Sequence, residues 1–140
     1  MTTKTVTIEG ETFTIRHALP GDVSLIFPSW MEAARELRNT RRSVFDAHYP
    51  DVVRSLLETE PAHVATWGDD TIVAWACGRP PNLLHFAWTG YKFRGIGLGR
   101  AVIEAVLEGY PATVWVTSSP LGAPNHRRFV YNPFLRRVTT

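Results

Sequence analysis

Gly95, Gly97 and Gly99 alternate with Ile96 and Leu98 between two arginines, Arg94 and Arg100, and the residues that follow, AVIEAVLEG, carry a helical pattern. A helix N-terminus leaves backbone N–H groups without partners, and its dipole favours an anion there. Phosphate oxygens reach those amides only where no side chain stands in the way. Glycine meets that need, and it also permits the positive φ that lets neighbouring amides point inward together. A single glycine would read as a tight strand-to-helix turn. Three in alternation, flanked by two arginines, read better as an anion cradle. The spacing excludes two common cradles. A triphosphate-binding loop needs Lys and then Ser or Thr after its last glycine, whereas Arg100 and Ala101 follow Gly99. A dinucleotide site places G-x-G-x-x-G after the first strand of a fold, whereas this run is G-x-G-x-G and stands late in a chain of 140 residues.

The elements that must hold the loop are legible from periodicity. TVTIEGETFTIR (5–16) alternates apolar and polar residues about Glu9-Gly10-Glu11, which predicts a hairpin. Asp22 is placed to cap a helix over VSLIFPSWMEAARELR, where Leu25, Ile26, Trp30, Ala33, Ala34 and Leu37 recur at helical spacing. Pro28 predicts a kink or break inside it. NTRRS reads as a loop, and after Pro50 DVVRSLLETE reads as a short second helix stopped by Pro61. AHVATWGDDTIVAWACGRPP (62–81) predicts two strands joined at Gly68-Asp69-Asp70, and NLLHFAW (82–88) a third. The helix after the glycine loop ends at Gly109, and ATVWVTSS (112–119) is apolar enough for a strand buried on both faces. The remainder has three prolines and one short strand-like piece, RFVY. The expectation is one domain over 1–140 of the α/β class. Its sheet is mixed and mostly antiparallel with flanking helices, and a locally parallel pair surrounds the helix that follows the loop.

Hydrophobic residues make up 44% and charged residues 20%, the balance of a soluble globular chain. The net charge of +2 gives no bulk argument for nucleic acid. Arginines nevertheless come in pairs at 41–42, 127–128 and 136–137, which read first as solvated surface and second as a basic rim for an anionic ligand. Cys77 is the sole cysteine, so no intrachain disulfide forms and a reducing, cytoplasmic setting fits. No apolar run approaches a membrane span, and MTTKTVTIEGETF lacks the apolar core of a signal peptide.

Arg94-Gly95-Ile96-Gly97-Leu98-Gly99 matches the R/Q-x-x-G-x-G/A signature of the GCN5-related N-acetyltransferases (GNAT), and the predicted element order resembles that family over roughly residues 12 to 119. The resemblance implies acetyl-CoA as cofactor and direct transfer of its acetyl group to a primary amine. It implies that the amides from Ile96 to Arg100 hold the pyrophosphate, with Arg94 and Gly95 leading in, and that Phe86, Ala87 and Trp88 line the pantetheine arm. The strand that carries those three would splay from ATVWVTSS, and a backbone N–H near Ala87 or Trp88 would polarise the thioester carbonyl.

The chain departs from the family in its catalytic groups. Members often carry a glutamate on the strand before the loop, and NLLHFAW has none. His85, with an ordinary pKa of about 6.5, is the candidate base; a merely packed histidine is the simpler reading. Tyr131 stands near the family's thiolate-protonating tyrosine and Asn125 near its asparagine, although the spacing differs, and Tyr131 reads equally as a core aromatic beside Phe129 and Phe134. The family ends in two further strands where this tail has room for about one, so the acceptor pocket is expected to be open or completed by a second subunit. RNTRR and NHRRFVYNPFLRR are basic, which disfavours a cationic acceptor and fits an anionic one, or an amine on a phosphate-bearing molecule. Three alternatives stay open. One is a GNAT-fold binding or structural protein without turnover. Another is a nucleic-acid-associated protein, such as a small phage-type member. The third, acyl transfer through Cys77, is remote.

Overall fold

The computed structural model describes residues 3–35, 41–117 and 129–132. Strands β1 (Lys4–Ile8) and β2 (Glu11–His17) form the expected hairpin. Its two turn residues, Glu9 and Gly10, take φ of 51° and 83°, the positive values such a turn demands. Strands β3 (Ala62–Trp67), β4 (Thr71–Arg79) and β5 (Leu83–Thr89) continue the antiparallel order. Strands β6 (Val114–Val116) and β7 (Phe129–Tyr131) then add in parallel, so the sheet runs from β1 to β7 in chain order. The fold is mixed α/β with flanking helices.

Alternation along the strands divides the core. Helix α3 (Leu98–Leu107) buries Leu98, Val102, Ile103 and Val106 on one face of the sheet, against Phe13, Ile15, Ala65 and Ala76. Helices α1 (Val23–Ala34) and α2 (Arg42–Thr59) bury Ile26, Trp30, Phe45, Val53 and Leu56 on the other, against Val64, Trp75 and Cys77. Each fully buried large side chain stabilises the fold by about 1.5–3 kcal/mol. Among the described residues, no helix is long and apolar enough to cross a membrane.

Four local expectations need correction. Helix α1 runs through Pro28 without a break, because Ile26, Trp30 and Ala34 keep one continuous apolar face against the sheet. Helix α2 begins at Arg42 rather than after Pro50. Phe45 and Tyr49 stack at 4.8 Å, and with Val53 they form a ladder of fourth residues that passes Pro50 on another side of the helix. Asp22 precedes α1 but makes no side-chain cap. Its carboxylate instead accepts from Arg16 at 2.7 Å and from the Leu19 amide at 2.7 Å, where a charged donor wins over a helix amide. At the end of α3 the left-handed residue is Glu108, with φ of 58°, one position before the expected Gly109. The strand in ATVWVTSS spans three residues, and Ser118 and Ser119 lie outside the described residues.

Candidate functional site

The glycine loop connects the end of β5 to the start of α3. A short 3-10 turn (Tyr91–Phe93) leaves β5, and Gly95 and Gly97 follow with φ of 81° and 93°. A Cβ at either would meet nothing within 4 Å, so both glycines serve backbone conformation and leave open space in front of the loop. Gly99 differs: a Cβ there would come within 2.9 Å of the Thr89 hydroxyl, so this glycine lets α3 approach β5. Leu98 is fully buried and Ile96 packs against the same core, which anchors the loop by its two apolar side chains. The amides of Ile96 to Arg100 have no hydrogen-bond partner among the described residues; the first bond of this turn is from the Ala101 amide to the Gly97 carbonyl, at 3.1 Å. The two arginines are tethered beside the loop. Arg94 donates to the Thr89 carbonyl at 2.8 Å, and Arg100 pairs with Glu104 at 3.0 Å while lying over the Tyr110 ring.

Among the described residues, β5 and β6 pair at Leu83 with Trp115 and Leu84 with Val116, and the last rung is the Thr117 amide donating to the Leu84 carbonyl at 3.1 Å. Beyond it, β5 continues to Thr89 paired, among the described residues, with β4. The Gly90 amide donates to the Val73 carbonyl, so the antiparallel alternation turns the backbone of Trp88 and Phe86 toward β4. Ala87 consequently presents its N–H and C=O groups to the other side, and Thr89 its N–H, while the Thr89 carbonyl is taken by Arg94. Of the three residues expected there, Phe86 and Trp88 send their side chains into the α1–α2 core, where Phe86 stacks on Trp30 at 5.6 Å. Ala87 is the one whose backbone turns away from β4.

His85 stands next to that last rung, and it is buried in a polar chain. Its Nδ1 lies 2.8 Å from the Thr117 hydroxyl, and its Nε2 lies 2.8 Å from Oε1 of Glu60, which follows α2. The same Glu60 oxygen takes Arg79 Nε at 3.2 Å. Glu60, His85 and Thr117 are all buried. Tyr131 lies opposite Val116 on β7, two strands or roughly 10 Å from Leu84; its side chain is exposed, not a core aromatic. Asn125 lies outside the described residues, as do Arg127, Arg128, Arg136 and Arg137. Arg42 is partnered by Asp46 at 3.6 Å.

Glu60 and Thr117 escaped the sequence reading. Glu60 ends a helix 25 residues before His85, and neither periodicity nor spacing signals that contact. Cys77 is fully buried beside this chain; burial pushes its thiol well above the ordinary pKa, and the charge of Glu60 adds to the shift. An inert thiol follows, which removes it as an acyl carrier.

No protein-family model and no curated protein matches the sequence. Solved structures do. A GNAT-family acetyltransferase from Listeria monocytogenes 4b F2365 superposes with a TM-score of 0.51 at 18% identity, over 74% of this chain and 72% of that one. YjaB from Escherichia coli gives a TM-score of 0.51 at 22% identity, covering 69% of this chain and 65% of its own. A protein described as a possible acetyltransferase from Clostridium difficile 630 gives 0.50 at 16% identity, over 85% and 76%. With its mixed seven-stranded sheet, flanking helices and glycine loop, the chain has the fold of the GCN5-related N-acetyltransferases.

Proposed function

We propose that this protein is an acetyl-CoA-dependent N-acyltransferase acting on a primary amine. The observation that carries the reading is the continuity of the loop with β5. Amides from Ile96 to Arg100 have no partner among the described residues, and the Ala87 backbone, turned away from β4, leads away from them along β5. Acetyl-CoA would supply an activated acyl thioester. The loop amides, with Arg94 and Arg100 beside them, suit its pyrophosphate. The Ala87 backbone would suit an amide-bearing arm, and the Ala87 N–H would be the donor that polarises a thioester carbonyl. Direct transfer needs a proton acceptor for the amine, and the groups near the last β5–β6 rung are His85 with its partners and, farther off, Tyr131.

The acceptor is read from charge. A groove of about 330 Å³ between α1 and α2 is lined by Phe27, Pro28, Met31, Arg35, Pro50 and Arg54. Arg35 and Arg54 are paired there with Asp46 at 3.9 Å and Asp51 at 3.1 Å, so the support for an amine that also carries an anionic group is the basic composition of RNTRR and NHRRFVYNPFLRR. A homodimer and a cytoplasmic setting complete the proposal.

Millimolar acetyl-CoA is expected to raise the melting temperature by several degrees, since occupancy at a hundredfold excess over Kd stabilises by about 2.7 kcal/mol. Gly97→Glu should abolish the shift by placing a carboxylate in the phosphate space. Gly97→Ala, which imposes the same backbone strain at φ of 93°, should keep part of it. No shift in the wild-type protein sinks the proposal. A shift without thiol release over a broad amine panel would instead favour a binding protein, a reading supported by the engagement of both His85 ring nitrogens.

A further inference from the structure

The buried chain from Glu60 to Thr117 has a direction. The Arg79 guanidinium forms an ion pair with the same Glu60 oxygen that His85 Nε2 meets, at 3.2 and 2.8 Å. A carboxylate oxygen paired with a cation accepts and does not donate, so Nε2 carries a proton. In a neutral imidazole the other nitrogen is then an acceptor, so the Thr117 hydroxyl donates its proton to Nδ1 across 2.8 Å. Thr117 follows the last residue of β6, and its amide makes the final rung to Leu84, so the hydroxyl sits at the end of that ladder as described. Four separate segments converge to fix it: the end of α2, β4, β5 and the end of β6.

We propose that Glu60, His85 and Thr117 form a proton relay in which Glu60 locks the Nε2–H tautomer and Thr117 is the group that takes the proton from the acceptor amine. The relay rests on the acyl-transfer reading. As the amine nitrogen bonds to the acyl carbon, its proton passes to Thr117 Oγ1 while the Thr117 proton passes to His85 Nδ1. The carbon–sulfur bond breaks with its electron pair on sulfur. The proton stored on His85 then returns through Thr117 to that sulfur, so amine and thioester become amide and thiol with no other reactant. Between these steps the imidazolium is held by the Glu60 carboxylate, whose own charge is held by Arg79. His85 and Thr117 are fully buried, so the amine meets the hydroxyl only by displacing what covers it, and the relay exchanges protons with a seated reactant rather than with bulk water. In this scheme Thr117 is a catalytic residue and Glu60 a positioning residue.

Two measurements test it. Long-range proton–nitrogen NMR of the wild-type protein at pH 7.5 should show His85 neutral with the proton on Nε2. In Glu60→Gln the side-chain amide can donate to Nε2, and the proton should move to Nδ1. A wild-type His85 protonated on Nδ1 or on both nitrogens overturns the lock, whether or not any variant folds. A Glu60→Gln protein with an unchanged tautomer overturns it too. In steady-state acetyl transfer, Thr117→Val should lower kcat by about 100-fold with KM for acetyl-CoA unchanged, and Thr117→Ser should restore most of the rate. Unchanged kcat in Thr117→Val overturns the proton-taking role. Absence of both acetyl-CoA binding and transfer in the wild type overturns the acyl-transfer reading and the role with it, while the tautomer result still stands as a finding about the chain.

Discussion

Acidification from pH 7.5 to 5 is expected to cost this fold about 2 kcal/mol through one side chain, His63. His63 lies on β3 opposite His17 on β2, with the two rings 4.1 Å apart. Its Nδ1 is buried and has no hydrogen-bond partner among the described residues. Burial first, and the charge of His17 second, push its pKa from 6.5 down to about 4. Between those values the unfolded chain binds a proton that the folded chain refuses. The contribution is thus fully present above pH 6.5 and is lost as the pH falls toward 4. Proton linkage integrated over that window gives a loss of about 2 kcal/mol at pH 5 and nearly none at pH 7.5. Relaxation around the ring makes this an upper figure. In a domain of this size it corresponds to a fall of roughly 6 °C in melting temperature. Thermal melts of the wild type and His63→Gln at four pH values and constant ionic strength isolate the effect, because other acid-labile groups are common to both and cancel. The wild type should lose about 6 °C relative to the variant. Parallel pH profiles for the two proteins would refute the reasoning, and so would a His63 NMR titration midpoint near 6.5.

The remaining predictions concern stability and reactivity. Asp22→Ala should destabilise by about 1–3 kcal/mol, because Asp22 holds both Arg16 and the Leu19 amide. Arg16 lowers the Asp22 pKa, so this contribution is fully present above about pH 4 and is lost as the pH falls through the lowered folded value; a wild-type to variant gap that does not narrow at all on acidification would contradict that. Gly78→Ala should cost about 3 kcal/mol or unfold the protein, since a Cβ there overlaps the Leu83 carbonyl oxygen, which is backbone and cannot swing away. Gly10→Ala faces open space at φ of 83° and should cost about 1 kcal/mol in denaturant melts; equal losses for the two would undercut the assignment. Cys77 should resist Ellman's reagent in the native protein and react once urea unfolds it.

The parts of the fold legible in the sequence are those in which local chemistry and tertiary packing agree. Glu9-Gly10 and Gly68-Asp69-Asp70 announce their turns because left-handed backbone is needed at both. The glycine loop announces itself for the same reason. Where they disagree, packing wins. Pro28 and Pro50 should interrupt their helices, yet the apolar faces of Trp30 and of Phe45, Tyr49 and Val53 carry both helices past them. His85 was visible as a titratable side chain on an apolar strand, but its partners were not. Thr117 is 32 residues later and Glu60 is 25 earlier, and a single sequence carries no signal for such contacts.

The irregularity in β5 is the feature that periodicity could least supply. The register of β4 on β5 shifts between Cys77 and Gly78, and Gly78 makes room for Leu83 and Leu84 to press in. A bulge of this kind turns the strand that carries it. On the far side of the shift β5 follows β4, and among the described residues its ladder with β6 ends at Leu84. The Glu60–His85–Thr117 chain stands at that end of the ladder, where three buried polar side chains partner one another. A substitution there should therefore be read for its effect on strand pairing as well as on proton transfer. Thr117→Ser, which keeps the hydroxyl, and Thr117→Val, which keeps the shape, separate the two effects: strand pairing read by amide hydrogen exchange should follow shape, and kcat should follow the hydroxyl.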